Sequence, residues 1–130
     1  MSDHRLRLLV IDDDDLILQS LRMALPAQWS MQGFNSLPHD NADYGKFDAA
    51  FVDLHLSKDS SKPECGITAI QRLSKINPTM EIVAMSGDQS RELMEQVLVA
   101  GATRFLAKPL GLDELHLVLN KIEALLFLRR

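Results

Sequence analysis

The stretch Phe47-Asp-Ala-Ala-Phe-Val-Asp-Leu-His-Leu56 limits the fold more than any other part of the chain. An apolar run climbs to one carboxylate, Asp53, and a long polar segment follows. Short apolar runs bounded by turn signals read as strands buried on both faces, as in parallel sheets. In an open α/β sheet such a strand leaves the core at its carboxyl end, where ligands bind. Asp53 is therefore expected as an acid at the mouth of a crevice. What else reaches that mouth decides the function.

The rest of the chain repeats the pattern. Leu6-Arg-Leu-Leu-Val-Ile11 reads as a first strand ending in Asp12-Asp13-Asp14-Asp15. Ile17, Leu21, Ala24 and Leu25 then share one helical face, with Asp14 at the N-cap position and Pro26 near the helix end. Residues 29–35 form a weaker second strand pattern, and the segment 36–45, which carries Pro, Gly and Asn, predicts a short or poorly formed helix. Beyond the Asp53 strand, residues 57–65 are almost devoid of apolar side chains and read as an exposed loop. Helical spacing resumes at Ile67, Ile70, Leu73 and Ile76 and stops at Asn77-Pro78. Residues 80–85 are a fourth strand, ending at Ser86-Gly87-Asp88, and Leu93, Val97 and Ala100 mark a helix closed by Gly101 at the usual C′ position. A fifth strand over 103–107 ends at Lys108-Pro109, and a last helix begins near Asp113 and runs through Leu115, Leu119, Ile122 and Leu126.

Five strand patterns alternating with five helical ones predict a parallel sheet covered on both faces, with right-handed crossovers. Length, at 130 residues, fits one domain. A net charge of −4 argues against a nucleic-acid or anionic-membrane footprint. Cys65 is the single cysteine, so no internal disulfide forms, and with no histidine beside it a nucleophilic thiol is disfavoured. No apolar run approaches the roughly 20 residues of a membrane span, and no secretory h-region is present. The expectation is a soluble cytoplasmic domain.

With this architecture Asp12, Asp13, Asp53, Ser86 and Lys108 all fall at strand carboxyl ends, on one edge of one sheet. Three carboxylates close together repel and call for a cation; oxygen ligands of this kind suit Mg²⁺ (or Mn²⁺), which retains water and binds phosphate oxygens. Lysine supplies a point charge for phosphate and serine a hydrogen bond. A carboxylate left free could then form an acyl phosphate. The edge looks suited to phosphorylation of its own aspartate.

At this point the chain resembles the receiver domain of two-component response regulators. The residues that carry the resemblance are Leu8-Leu-Val-Ile-Asp12-Asp13, Phe51-Val-Asp53, Ala84-Met-Ser86-Gly and Ala107-Lys108-Pro109, in that order and each at a strand end. The resemblance implies a flavodoxin-like (βα)5 doubly wound sheet with strand order 2-1-3-4-5. It implies Asp53 as phosphoacceptor, Asp13 as direct metal ligand, Asp12 acting mainly through metal-bound water, and the backbone carbonyl of His55 as a further ligand. Ser86 and Lys108 would hold phosphoryl oxygens, Phe105 would be the switch aromatic that turns inward with Ser86, and Lys108–Pro109 would be a cis peptide. His55 and Asp88 occupy the positions that tune phosphoryl lifetime, and are expected to pair at the mouth. A sensor histidine kinase or phosphotransfer protein would be the donor. The face of the fourth helix, fifth strand and fifth helix would carry the signal to an output domain, a partner or a second copy. His4, His39 and His116 read as surface or packing residues.

One departure from the family pattern is plain. Ser57 stands where a proline is usual, and Gly66 comes about five positions late, so the loop after the acceptor is longer and more polar than usual. Two other functions fit parts of the sequence. Asp12-Asp13-Asp14 after a strand resembles the Asp-x-Asp of haloacid-dehalogenase-type phosphatases, with Asp12 as nucleophile, although Leu16 stands where Thr or Val is usual. A pseudo-receiver that binds partners without phosphorylation is the other. The last helix, about 112–130, stays apolar to its end, as expected of a dimer element or a linker leading into a larger regulator.

Overall fold

The computed structural model describes residues 5–36, 43–55 and 64–129. Its strands are β1 (Leu6–Ile11), β2 (Trp29–Phe34), β3 (Ala49–Asp53), β4 (Glu81–Ser86) and β5 (Arg104–Ala107). Its α-helices are α1 (Asp15–Ala24), α2 (Glu64–Ile76), α3 (Arg91–Ala100) and α4 (Leu112–Leu128). The strands form one sheet in the order β2-β1-β3-β4-β5, every pairing parallel. This is the expected 2-1-3-4-5 doubly wound arrangement.

The strands alternate apolar side chains between two faces, because successive residues of a strand point to opposite sides. Leu9, Ile11, Ala50, Val52, Ile82 and Ala84 face a core completed by Ile70, Leu73, Leu93 and Val97 from α2 and α3. Leu8, Val10, Ala49, Phe51, Val83 and Met85 face the other, completed by Leu21 of α1 and Leu115, Leu119 and Ile122 of α4. Helices on both sides bury every position of β3 and β4, whose interiors are apolar and whose polar residues, Asp53, Glu81 and Ser86, fall at strand ends.

Local chemistry sets the helix ends. Asp14 caps α1, its Oδ1 accepting from the Leu16 N–H at 3.0 Å, worth roughly 1 kcal/mol. Gly101 ends α3 at φ 124°, a left-handed conformation that other residues adopt at a cost. Between β2 and β3 the described part of the segment expected as a poor helix is one 3₁₀ turn, Tyr44–Lys46; residues 37–42 lie outside the described residues. The expected fourth and fifth helices are thus α3 and α4. Among the described residues no helix is long and apolar enough to cross a membrane.

Candidate functional site at the carboxyl edge

Strand register brings the predicted residues together. Ile11 pairs with Val52, so Asp12 and Asp53 follow side by side. Asp53 pairs with Met85 and Ser86 with Ala107, so Ser86 and Lys108 come at the same edge, one residue further along their strands. The helix after β3 is drawn close by Gly66: a Cβ there would lie 2.6 Å from the Asp53 carbonyl oxygen, so no side chain fits. The late glycine therefore still packs directly on the end of the Asp53 strand. Most of the long loop before it, 56–63, lies outside the described residues.

Carboxylate oxygens of Asp12, Asp13 and Asp53 lie within 4.8 Å of one another, two of these acids buried and Asp13 exposed. Lys108 Nζ bridges the buried pair, 2.9 Å from Asp12 Oδ2 and 3.3 Å from Asp53 Oδ1. Asp12 is fully enclosed, its Oδ1 also accepting from the Asp14 N–H at 2.9 Å. Asp53 Oδ1 accepts from the His55 N–H at 3.1 Å, and no hydrogen bond among the described residues engages Oδ2. Burial first, and then the charge of Asp12, push the Asp53 carboxyl above its ordinary value, outweighing the His55 N–H and Lys108, which pull it down. Burial alone would lower Lys108, but the hydrogen bond and charge of Asp12, followed by Asp53, hold it above the ordinary lysine value.

The balance of charge is the informative part. Three carboxylates face one ammonium, so the edge keeps a surplus of negative charge and hard oxygen donors. Such a donor set fits a divalent cation of the Mg²⁺ or Ca²⁺ type. Asp12, with one oxygen on Lys108 and the other on a backbone N–H, is poorly placed to attack a substrate. That geometry disfavours the phosphatase reading.

Ser86 is buried, and its Oγ accepts from the Asp88 N–H at 2.9 Å and lies 3.1 Å from His55 Nε2. The expected His55–Asp88 pair is thus indirect: both residues meet at Ser86, while the Asp88 carboxylate accepts from the Ser90 N–H at 2.9 Å. Lys108–Pro109 is cis, and the Lys108 N–H donates to the Ser86 carbonyl at 2.9 Å. Phe105 is half-buried against the α2/α3 core. Sequence reasoning missed Asn35, whose Nδ2 donates to the Asp12 carbonyl at 3.2 Å and to Asp15 Oδ1 at 3.0 Å. Asp15 is thereby part of the tie that holds the acidic loop. His116 packs as expected, its Nε2 lying 3.0 Å from the Ala24 carbonyl; His4 and His39 lie outside the described residues.

The sequence profile of the response regulator receiver domain matches residues 8–120. The alginate biosynthesis transcriptional regulatory protein AlgB of Pseudomonas aeruginosa is 28% identical over 123 residues, which is 92% of this chain and 26% of that protein. The chain spans about a quarter of the length of the curated relatives it matches. A response regulator from Burkholderia pseudomallei, solved with a phosphorylated aspartic acid, a calcium ion and citrate, is 27% identical with a TM-score of 0.69. The match covers 85% of this chain and 64% of that one. A response regulator receiver domain protein from Clostridium thermocellum superposes with a TM-score of 0.76 at 20% identity, over 96% and 99% of the two chains, and speaks for the fold.

Proposed function

Because the chain belongs to the response regulator receiver domain family, we propose that it is a phosphorylation-controlled switch with Asp53 as the acceptor. One observation carries the reading: Asp53 Oδ1 is held by the His55 N–H and Lys108, while Oδ2 has no hydrogen bond among the described residues. That oxygen is the natural nucleophile. It attacks the phosphorus of a phosphohistidine on a sensor kinase or phosphotransfer protein; the P–N bond breaks, the histidine takes up a proton, and an aspartyl phosphate forms. Small phosphodonors react at the same oxygen.

Asp13, Asp12, Asp53 and the His55 backbone carbonyl would hold Mg²⁺ or Mn²⁺, which when bound neutralises charge on the phosphoryl oxygens. Lys108 takes one phosphoryl oxygen as a point charge, and the Ser86 hydroxyl donates to another. Water later attacks the phosphorus and returns Asp53 and inorganic phosphate. His55 and Asp88 border that path and set its rate. As Ser86 turns toward the phosphoryl group, Phe105 on β5 moves inward, and the α3–β5–α4 face changes its preference for an output domain, a partner or a second copy. A few kcal/mol of differential stabilisation suffices for such a shift.

The same reading places this domain at the N-terminal end of a larger cytoplasmic regulator, with the end of α4 as linker or dimer element; the greater length of the relatives supports the larger regulator. The test is labelling with ³²P-acetyl phosphate and Mg²⁺. The reading expects a label that hydroxylamine removes, as an acyl phosphate requires, and that Asp53→Asn lacks. An unlabelled wild-type chain would instead indicate a pseudo-receiver.

A further inference from the structure

His55 reaches the site by its side chain as well as by its backbone. Its imidazole spans from the end of β3 to the end of β4, where Nε2 lies 3.1 Å from Ser86 Oγ. Nδ1 is buried and has no hydrogen-bond partner among the described residues. Either tautomer ties the two side chains: Nε2–H donates to Ser86 Oγ, or the serine O–H donates to a bare Nε2. The serine oxygen also accepts from the Asp88 N–H at 2.9 Å. Two hydrogen bonds from two directions fix the rotamer. Among the described residues no hydrogen bond from this hydroxyl reaches Asp53 or Lys108.

We propose that His55 is a latch, a positioning residue whose imidazole holds the Ser86 hydroxyl in a resting orientation and competes with the phosphoryl group for it. The inference rests on Asp53 phosphorylation, and concerns a different quantity from phosphoryl lifetime: how readily the site enters its phosphorylated arrangement. To donate to a phosphoryl oxygen on Asp53, the hydroxyl must turn away from its present partners. Each bond given up offsets part of the new one. A side chain two residues after the acceptor thereby sets the threshold of the switch by acting on the neighbouring strand.

Beryllofluoride with Mg²⁺, as a phosphoryl mimic, tests the latch through its apparent affinity, followed by titration of backbone amide signals. His55→Phe keeps a ring but removes Nε2; His55→Ala serves if the larger ring disturbs the fold. With one net hydrogen bond no longer competing, either variant is expected to bind beryllofluoride about three- to tenfold more tightly. His55→Gln, whose amide can bond the hydroxyl as donor or acceptor, is expected to return most of the way to the wild-type value. In a Ser86→Ala background the His55 substitution is expected to have no effect, because the latch has nothing to hold. Unchanged or weaker binding in both His55→Phe and His55→Ala overturns the latch, as does a tightening that persists without Ser86. Wild-type chain that fails to bind beryllofluoride, or binds it equally well as Asp53→Asn, overturns the phosphoacceptor reading beneath it.

Discussion

Opposite edges of the same sheet bury carboxylates and treat them differently. At the amino end of β4, Glu81 is almost fully enclosed and pairs with Arg129 at 2.9 Å, while the same guanidinium donates to the Thr79 carbonyl at 2.9 Å. One acid meets one base. At the carboxyl edge, Asp12 and Asp53 share Lys108, and Asp13 adds a third carboxylate beside them. Balanced charge ties α4 to the sheet and has nothing left to bind. Surplus charge costs stability in the free protein and, on the proposed function, serves a cation and a phosphoryl group. The two edges separate what holds the fold from what performs its chemistry.

The largest effect is expected at the balanced edge. Arg129→Ala leaves Glu81 buried without its partner and should lower unfolding free energy by about 2 kcal/mol in urea titration, less than a fully enclosed pair because the guanidinium is half exposed. Mg²⁺ should not restore it. Lys108→Ala leaves two buried carboxylates facing each other and should cost about 1–2 kcal/mol in a chelating buffer. Here millimolar Mg²⁺ should recover most of the loss. Equal rescue of both variants, or of neither, would break the comparison between the edges.

Smaller effects sharpen it. Asp53→Asn removes a carboxylate charge that burial and the neighbouring Asp12 make costly, so the thermal midpoint in chelator should rise by a few degrees, and the gain on adding Mg²⁺ should shrink. The pH dependence follows with a definite sign. The Asp53 carboxyl is raised in the folded chain, so the native state holds this proton more tightly than the unfolded state. Its contribution favours the fold at low pH and is lost as pH rises from the unfolded value, about 3.9, through the folded one. Metal-free Asp53→Asn should therefore lose stability less steeply than wild type over that interval in urea melts at successive pH values. An identical slope would place the surplus charge elsewhere.

Much of this could be read from the sequence because it is local. The apolar runs, the Asp14 cap, the Gly101 terminus and the Asn77-Pro78 stop each depend on a few neighbouring residues, and the α/β alternation then puts Asp12, Asp53, Ser86 and Lys108 on one edge. The hidden contacts are those that only the folded chain creates. Arg129 and Glu81 are 48 residues apart, and nothing near either marks the other. Asn35 reaches Asp12 from the end of a neighbouring strand, 23 residues away. His55 was expected to meet Asp88, but the register of β3 and β4 puts Ser86 between them. The segment 36–45 carries Pro, Gly and Asn, and its described part falls on one 3₁₀ turn, Tyr44–Lys46.

The central claim is that the surplus charge at the carboxyl edge serves phosphorylation of Asp53. Intact mass measurement after incubation with acetyl phosphate and Mg²⁺, with peptide mapping of the product, tests it most directly. The account predicts an increase of about 80 Da on the peptide containing Asp53, absent in Asp53→Ala and in chelator. The same increase in Asp53→Ala, or its mapping to another residue of the wild-type chain, would contradict it.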